Sequence, residues 1–264
     1  MITEAVTAYG ALVDLTYWPL FGLRLTTPDL ELRPMTEADL GPLAEVLPDD
    51  LEMDPSAIKF DGIADERIRR GIVVHQEYWK AYGTWRPESW RLQFTVRHAG
   101  DRIGLQSLEG DDFARLRTVD SFSWLVPGAR RRGFGRQMRE AVLALAFGPL
   151  AAEAAITSAW HDNLASLGVS RALGYQPNGE SLDAHGDRAD RMVHLRLVRE
   201  DWLASGRGAS VGIEGLDSCT PLFGIARLPS VTPGNATEVS TACEQDRGNN
   251  GRERPFREFL GNSR

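Results

Sequence analysis

The chain has 264 residues, of which 42% are hydrophobic and 25% are charged, as is ordinary for a globular protein. No stretch approaches the roughly 20 apolar residues of a membrane-spanning helix, and the first basic residue, Arg24, comes too late for the positive region of a secretory signal. The net charge of −7 is poorly suited to neutralising phosphates, so we expect a cytoplasmic protein with no nucleic-acid partner and no membrane partner.

The first predicted elements follow an amino-terminal extension, residues 1–23. Residues Leu30–Pro34 alternate between apolar and charged side chains, as in a strand that the proline ends. A helix-start signal at Thr36 precedes apolar residues at helical spacing as far as Leu47. Residues 65–80 carry a second helical pattern. One strand and two helices are therefore predicted in this part of the chain.

The middle of the chain predicts three strands, Trp90–His98, Arg102–Leu108 and Thr118–Val126. A turn at residues 99–101 joins the first two strands into a hairpin. A long helix follows from Gly133 to Phe147, with its apolar side chains on one stripe.

Strand and helix patterns then alternate to residue 198. Ala154–Trp160 reads as a buried strand, Asn163–Leu173 as a helix and Arg191–Val198 as a last strand. This order of elements predicts an α/β fold, with a mixed sheet and helices on both of its faces.

The composition changes near residue 205, where Gly, Ser, Pro and Asn become frequent and no sustained apolar period is visible. Such a segment buries too little apolar surface to offset its ordering entropy. We therefore assign residues 1–204 to one domain and residues 205–264 to a flexible tail. Within the tail, Pro221–Ile225 could dock locally.

A basic turn that contains glycine separates the third predicted strand from the long helix. It reads Arg130-Arg131-Arg132-Gly133-Phe134-Gly135. Free backbone N–H groups at a helix start make an anion site, glycine permits close approach, and arginines add charge-assisted donors. A pyrophosphate suits such a turn, although a solvated surface loop could carry the same residues.

The motif Arg130-x-x-Gly133-x-Gly135 is similar to the (Gln/Arg)-x-x-Gly-x-(Gly/Ala) signature of the GNAT N-acetyltransferases. Three further landmarks in the same order resemble RimJ/RimL-like members over about residues 24–200: Leu30–Leu47, Asn163-x-x-Ser166 and Leu173-Gly174-Tyr175. The resemblance implies a GNAT-like α/β fold with a centrally splayed sheet. It also implies acetyl-CoA as co-substrate.

The same resemblance assigns the basic turn to coenzyme A. Backbone amides 131–135 would hold the pyrophosphate, with Arg130 and Arg132 in support. Strand 118–126 would part from strand 154–160, and the pantetheine arm would lie between them. The expected cofactor contacts are Val126, Arg130, Arg131, Arg132, Gly133, Phe134, Gly135 and Asn163.

Acetyl transfer to an amine needs a base for the nitrogen and a proton for the departing thiolate. Asp120 occupies the position where RimJ/RimL-like sequences commonly carry a Glu base, although a solvated carboxylate is an equal interpretation. Ser170 occupies the position of a frequent tyrosine acid and could instead be a small packing residue. Tyr175 is a weaker acid candidate, and His161 is an alternative base.

Residues 48–90 would set the acceptor, because this segment combines aromatic and acidic side chains that suit a cationic amine. We expect a primary amine, on a protein N-terminus or a small molecule. An aminoglycoside-type enzyme, a noncatalytic acyl-CoA-binding regulatory domain and a homodimer remain open. The histidines and the two cysteines lack ligand spacing, so we expect no metal.

Overall fold

A ten-stranded sheet organises this computed structural model, which describes residues 6–8, 11–13, 15–52, 60, 62–186 and 188–225. In chain order the described strands are β1 (Val6–Ala8), β2 (Ala11–Val13), β3 (Arg24–Thr26), β4 (Glu31–Pro34), β5 (Trp90–His98), β6 (Asp101–Gly110), β7 (Thr118–Asp120), β8 (Ser123–Leu125), β9 (Ala154–Trp160), β10 (Gln176–His185), β11 (Arg188–Val198) and β12 (Gly212–Glu214). The α-helices are α1 (Glu37–Glu45), α2 (Glu66–Gly83), α3 (Phe113–Leu116), α4 (Phe134–Phe147), α5 (Leu164–Ala172) and α6 (Arg199–Ala204). Short 3-10 helices occupy Pro19–Gly22, Pro127–Ala129 and Thr220–Phe223.

The strand order across the large sheet is β10-β11-β9-β7-β6-β5-β4-β3-β12, and β8 pairs with β6. The pairs are antiparallel except for β7 and β9, which run parallel. Strands β1 and β2 form a separate hairpin. Helices cover both faces, so the expected mixed α/β fold is confirmed. No helix in the described ranges is long and apolar enough to cross a membrane.

Two hydrophobic cores lie on the two faces of the sheet. The larger core contains the buried face of α4 and apolar side chains of β5 and β9. The smaller core contains α1 and α2, with Leu105, Phe122 and Trp124 from β6 and the β7–β8 segment. The sheet lies between these cores, and the loops at its strand ends are where binding residues commonly lie.

The sheet divides where β7 continues into β8. Thr118 and Val119 pair with Ala154 and Ala155 on β9, whereas the next paired strand, β8, has its partner in β6. Strand β8 thus diverges from β9 beyond Val119. We call the space between β8 and β9 the fork, and its existence confirms the expected splay of the sheet.

Most predicted elements are present with shifted ends, but the hairpin β1–β2 and three strands of the large sheet were not anticipated. The short strands β3 and β12 lie at one edge of the sheet. Strand β10 forms a long hairpin with β11 at the other edge, and its side chains are largely exposed. An exposed edge strand needs no apolar alternation, so the sequence pattern that marks buried strands was missing.

The expected domain end at residue 204 is wrong, because the fold continues to the last described residue, Ile225. Strand β12 pairs with β3, and Phe223 packs edge-on against Trp90 with ring centroids 4.9 Å apart. The Trp85 indole N–H donates to the Leu222 carbonyl at 2.8 Å. Pro221–Ile225 therefore docks on the core. Residues 226–264 lie outside the described residues, and their assignment to a tail stays a prediction.

Deleting residues 205–264 should destabilise the protein, because it uncovers the Trp90 face of the core and the free edge of β3. The single variant Phe223→Ala should lower the free energy of unfolding by about 3–5 kcal/mol, the cost of emptying a buried Phe site. Urea denaturation measures both effects. Truncation after Ile225 is the matched control and should match the full chain; equal stability of the two truncations would refute the docking.

Candidate functional site

The basic turn between β8 and α4 has a left-handed backbone at two positions. Arg131 has φ of 60° and Gly133 has φ of 83°. Gly133 precedes the first residue of α4, and the left-handed region there favours glycine over other residues. The two reversals wrap the chain around one point in front of the helix. Arg131, Arg132 and Gly133 are exposed at the tip of the turn.

The backbone of this turn offers a row of hydrogen-bond donors. Within the described part of the chain, the five consecutive N–H groups of residues 131–135 have no hydrogen-bond acceptor. The next two, of Arg136 and Gln137, donate to the Gly133 carbonyl at 3.2 Å. Free amides at a helix N-terminus bind anions through direct hydrogen bonds and through the helix dipole. The turn therefore has the donor set for a phosphate or pyrophosphate.

Arg130 has a different orientation from the one expected. Its guanidinium forms a two-pronged pair with the Asp50 carboxylate at 2.5 and 2.7 Å, and its Nε donates to the Leu125 carbonyl at 3.0 Å. These hydrogen bonds hold the pKa of the Asp50 carboxyl below its usual value. A contact between Arg130 and a phosphate would require the pair with Asp50 to separate.

The Arg132 side chain remains close to the turn. Its guanidinium lies over the Phe134 ring, 4.6 Å from the centroid, and Nη2 is 3.5 Å from Nε2 of His98. The Phe134 side chain is buried, so its contribution to anion binding is its backbone N–H. Val126 is half-buried and packs against both cores.

Segment 48–52, between α1 and α2, contacts both sides of the fork. At one side Asp50 holds Arg130, which also holds the end of β8. At the other side Glu52 accepts from His185 Nε2 at 2.8 Å, and the His185 ring stacks on Trp160, the last residue of β9, at 4.5 Å. The segment therefore spans the open end of the fork.

His161 lies at the open end of the fork, directly after β9. Its Nδ1 is 3.2 Å from Asp190, whose other oxygen is 3.1 Å from His185 Nδ1. Hydrogen bonds from the Arg191 N–H and from His185 hold the pKa of Asp190 below its usual value. Within the described residues the His161 Nδ1 has this ion-pair distance but no hydrogen bond to the carboxylate, and its place beside the fork keeps His161 as the alternative base to Asp120.

Asp120 lies at the closed end of the fork, as the last residue of β7. One of its oxygens accepts the Ser121 N–H at 2.7 Å, and the side chain is partly exposed. It is close enough to Tyr175 for its charge to act on the pKa of the phenol. The structure thus brings Asp120 and Tyr175 together where β7 and β9 part.

Ser170 and Asn163 have structural roles in this conformation. Ser170 is 1% exposed, and its hydroxyl donates to the Ser166 carbonyl one turn earlier at 3.0 Å. The hydroxyl is enclosed and engaged within its own helix in this conformation, and the expected acid role of Ser170 stays a prediction. Asn163 caps α5, with Oδ1 accepting the Ser166 N–H at 3.0 Å.

The aromatic residues of segment 48–90 mostly belong to the core. Tyr78 and Trp90 are buried, Tyr82 donates to the Met35 carbonyl at 3.0 Å, and Trp85 stacks on Trp90. Trp79 is the exception at 55% exposure. These four side chains therefore pack in the core and do not form the expected cluster of aromatic faces around a cationic substrate. Met53, Asp54 and Asp61 lie outside the described residues.

Arg139 on α4 is a residue that the sequence analysis missed. It is 5% exposed, and its guanidinium lies 3.4 Å from Thr157 Oγ1 on β9 and 3.5 Å from Ser123 Oγ on β8. The sequence did contain a signal, because Arg139 lies at helical spacing before two apolar residues, Val142 and Leu143, and therefore on the helix face that packs inward. No group of three or more metal-binding side chains occurs within the residues that the structure describes.

The sequence matches the profile of the acetyltransferase (GNAT) domain family over residues 29–176. That range contains the basic turn, both sides of the fork and α5. The matched range ends before β11, and residues 212–225, which comprise β12 and the segment that docks on the core, also lie outside it.

Solved structures with the same fold include RimJ of Mycobacterium smegmatis in complex with coenzyme A disulfide, at 15% identity and a TM-score of 0.57, covering 72% of this chain and 96% of that one. RimL, a ribosomal L7/L12 alpha-N-protein acetyltransferase in complex with coenzyme A, matches at 14% identity and a TM-score of 0.53, covering 65% of this chain and 95% of that one. Mutant forms of the spermidine/spermine N-acetyltransferase SpeG from Vibrio cholerae match at 15% identity and a TM-score of 0.53, covering 68% of this chain and 99% of that one.

Coenzyme A binding tests the turn directly. Arg132→Ala should weaken binding by about 1–2 kcal/mol, because it removes one charge-assisted donor. Gly133→Ala should weaken it as well and should lower stability by about 1–2 kcal/mol, because a left-handed backbone penalises a Cβ. Calorimetric titration measures the affinities, with the exposed Arg115→Ala as control. Unchanged affinity in both turn variants would show that the cofactor binds elsewhere.

Proposed function

Since this chain belongs to the GNAT acetyltransferase family, we propose that it is an acetyl-CoA-dependent N-acetyltransferase that acts on a primary amine. The observation that carries the proposal is the row of five unbonded amides in front of α4, next to a fork open between two strands. We further propose that it belongs to the RimJ/RimL-like branch of the family.

Amides 131–135 would hold the pyrophosphate, and Arg132 would swing from Phe134 to add a charged donor. The pantetheine arm would then enter the fork. The Phe122 carbonyl and the Val126 N–H bond to the backbone of β6, and the Phe122 N–H donates to the hydroxyl of Ser107 on β6. Alternate residues of a strand turn their backbone to opposite sides, so Ser123 turns its backbone toward the fork. The arm would lie along this side of β8.

The chemistry needs a neutral amine, because an ammonium has no lone pair to attack the thioester. A free primary amine resembles lysine, whose reference pKa is about 10.4, and is mostly protonated at neutral pH. Asp120, at the closed end of the fork, is our proposed base, acting directly or through water. Acetyl-CoA supplies the activated acyl group, and no metal is required for this transfer.

The acceptor would approach from the side of α1 and α2, opposite α4. The net charge of −7 favours a cationic substrate by long-range attraction. Asp50 and Glu52 are engaged by Arg130 and His185. Asp49 is exposed and lies at the longer distance of 3.9 Å from Arg70, so it is the better candidate to meet an ammonium group. The related structures include enzymes for a protein N-terminus and for spermidine, and we propose one of these amine types here.

Asp120→Asn should keep coenzyme A binding while kcat/KM falls by roughly 10²-fold or more, the usual scale for a lost general base. The rising limb of the pH–rate profile should also disappear. The assay is acetyl-CoA turnover against N-terminal peptides, polyamines and aminoglycosides, with the exposed Asp111→Asn as control. Wild-type rates in Asp120→Asn with a loss in His161→Gln would transfer the base role to His161; no turnover with any amine would reject the enzyme.

A further inference from the structure

The fork contains a buried cation, the Arg139 guanidinium, that has no role in the reaction proposed above. The Arg139 guanidinium reaches from α4 between the diverging strands, toward Thr157 on β9 and Ser123 on β8. Both contacts, at 3.4 and 3.5 Å, are longer than an ordinary N–H···O hydrogen bond. The buried Nε has no hydrogen-bond partner within the described residues. The group therefore retains donor capacity in the fork.

Arg139 also lacks a counter-ion, unlike other buried arginines of this chain. Arg97 pairs with Asp39 at 2.6 Å, and Arg91 pairs with Glu77 at 3.0 Å. No carboxylate of the described residues lies within 4 Å of the Arg139 guanidinium. An unpaired charge taken out of water lowers stability. Such a residue is more readily explained by an anion that binds or forms in the fork than by packing.

We propose that Arg139 stabilises the negative charge on the coenzyme A sulfur as it leaves the acetyl group. This inference rests on the proposed function. The amine nitrogen attacks the thioester carbonyl carbon, a C–N bond forms, and the C–S bond breaks with its electron pair passing to sulfur. The amine proton goes to Asp120. The products are the acetylated amine and a thiolate, which faces a guanidinium that stays protonated throughout.

A fixed cation is needed here because the hydroxyls near the fork are poor acids. Ser170 donates to its own helix. Burial raises the pKa of Tyr175 to about 12, well above the pKa of about 8.5 of an ordinary thiol, so proton transfer from this phenol to the thiolate is uphill. The Tyr175 phenol, after α5, is acted on by both Arg139 and Asp120, but the Asp120 carboxylate forms no ion pair within 4 Å of the Arg139 guanidinium. Charge stabilisation therefore falls to the guanidinium.

The test is the pKa of the coenzyme A thiol when bound, followed by the ultraviolet absorbance of the thiolate over a pH series. In the wild-type protein we expect it below the value for free coenzyme A, since a neighbouring cation lowers a thiol pKa. Arg139→Met should raise it by about one pH unit or more, and Arg139→Lys should restore part of the shift. Arg115→Met is the control and should match the wild type.

Kinetics and stability give two further readouts on the same variants. Arg139→Met should reduce kcat about 10- to 100-fold with little change in KM for acetyl-CoA, because the sulfur charge develops only in the transition state. It should leave the melting temperature of the unliganded protein unchanged or raise it by a few degrees, because an unpaired buried charge is replaced by an apolar side chain.

Two results would overturn the proposal, and they can be told apart. If wild-type protein and Arg139→Met bind coenzyme A with the same thiol pKa, Arg139 does not act on the sulfur, while the acetyltransferase assignment stands. If the wild-type protein binds no coenzyme A, the proposed function and this inference both fail. A melting temperature that falls steeply in Arg139→Met but not in Arg139→Leu would indicate poor packing of the methionine, and the thiol measurement then uses Arg139→Leu.

Discussion

The parting of two parallel strands after Val119 and Ala155 is the constraint around which this protein is arranged. Beyond that point β8 and β9 no longer share a hydrogen-bond ladder, and backbone groups left without partners are costly when buried. Part of the compensation comes from a side chain, because the Arg130 Nε donates to the Leu125 carbonyl. The rest of the opening is suited to a ligand with amide groups of its own.

Three features around the fork have separate places in the proposed function: a phosphate-binding turn, a base and a covering segment. The turn at residues 131–135 presents donors to a phosphate at one end, and Asp120 lies at the closed end, where the strands part. Segment 48–52 spans the open end through Asp50 and Glu52, and the buried Arg70 fixes that segment by donating to the Pro48 and Leu51 carbonyls at 2.5 and 2.8 Å. In the proposed function, the cofactor turn, the base and the covering segment are thus all positioned by one break in the sheet.

Local features of this site could be predicted from the sequence, and long-range pairings could not. Gly133 and the arginines predicted an anion-binding turn, because the start of a helix and a glycine turn depend on residues that are close in the sequence. The pair between Asp50 and Arg130 spans 80 residues, and no periodicity reports such a contact. Phe223 lay in a segment of loop-like composition, although its ring fills a gap beside Trp90. Arg139 interrupted an apolar helix face by a single residue, which is too small a signal to stand out.

Backbone amide chemical shifts during titration with coenzyme A test the central claim most directly. The account predicts that the amides of residues 131–135 shift most, because they gain the hydrogen bonds that they lack in the free protein, and that Ser123 on β8 shifts as the arm enters the fork. A truncated ligand without the pyrophosphate should leave residues 131–135 unmoved. Saturable binding of coenzyme A that moves other regions and leaves both the turn and the fork unchanged would contradict the account.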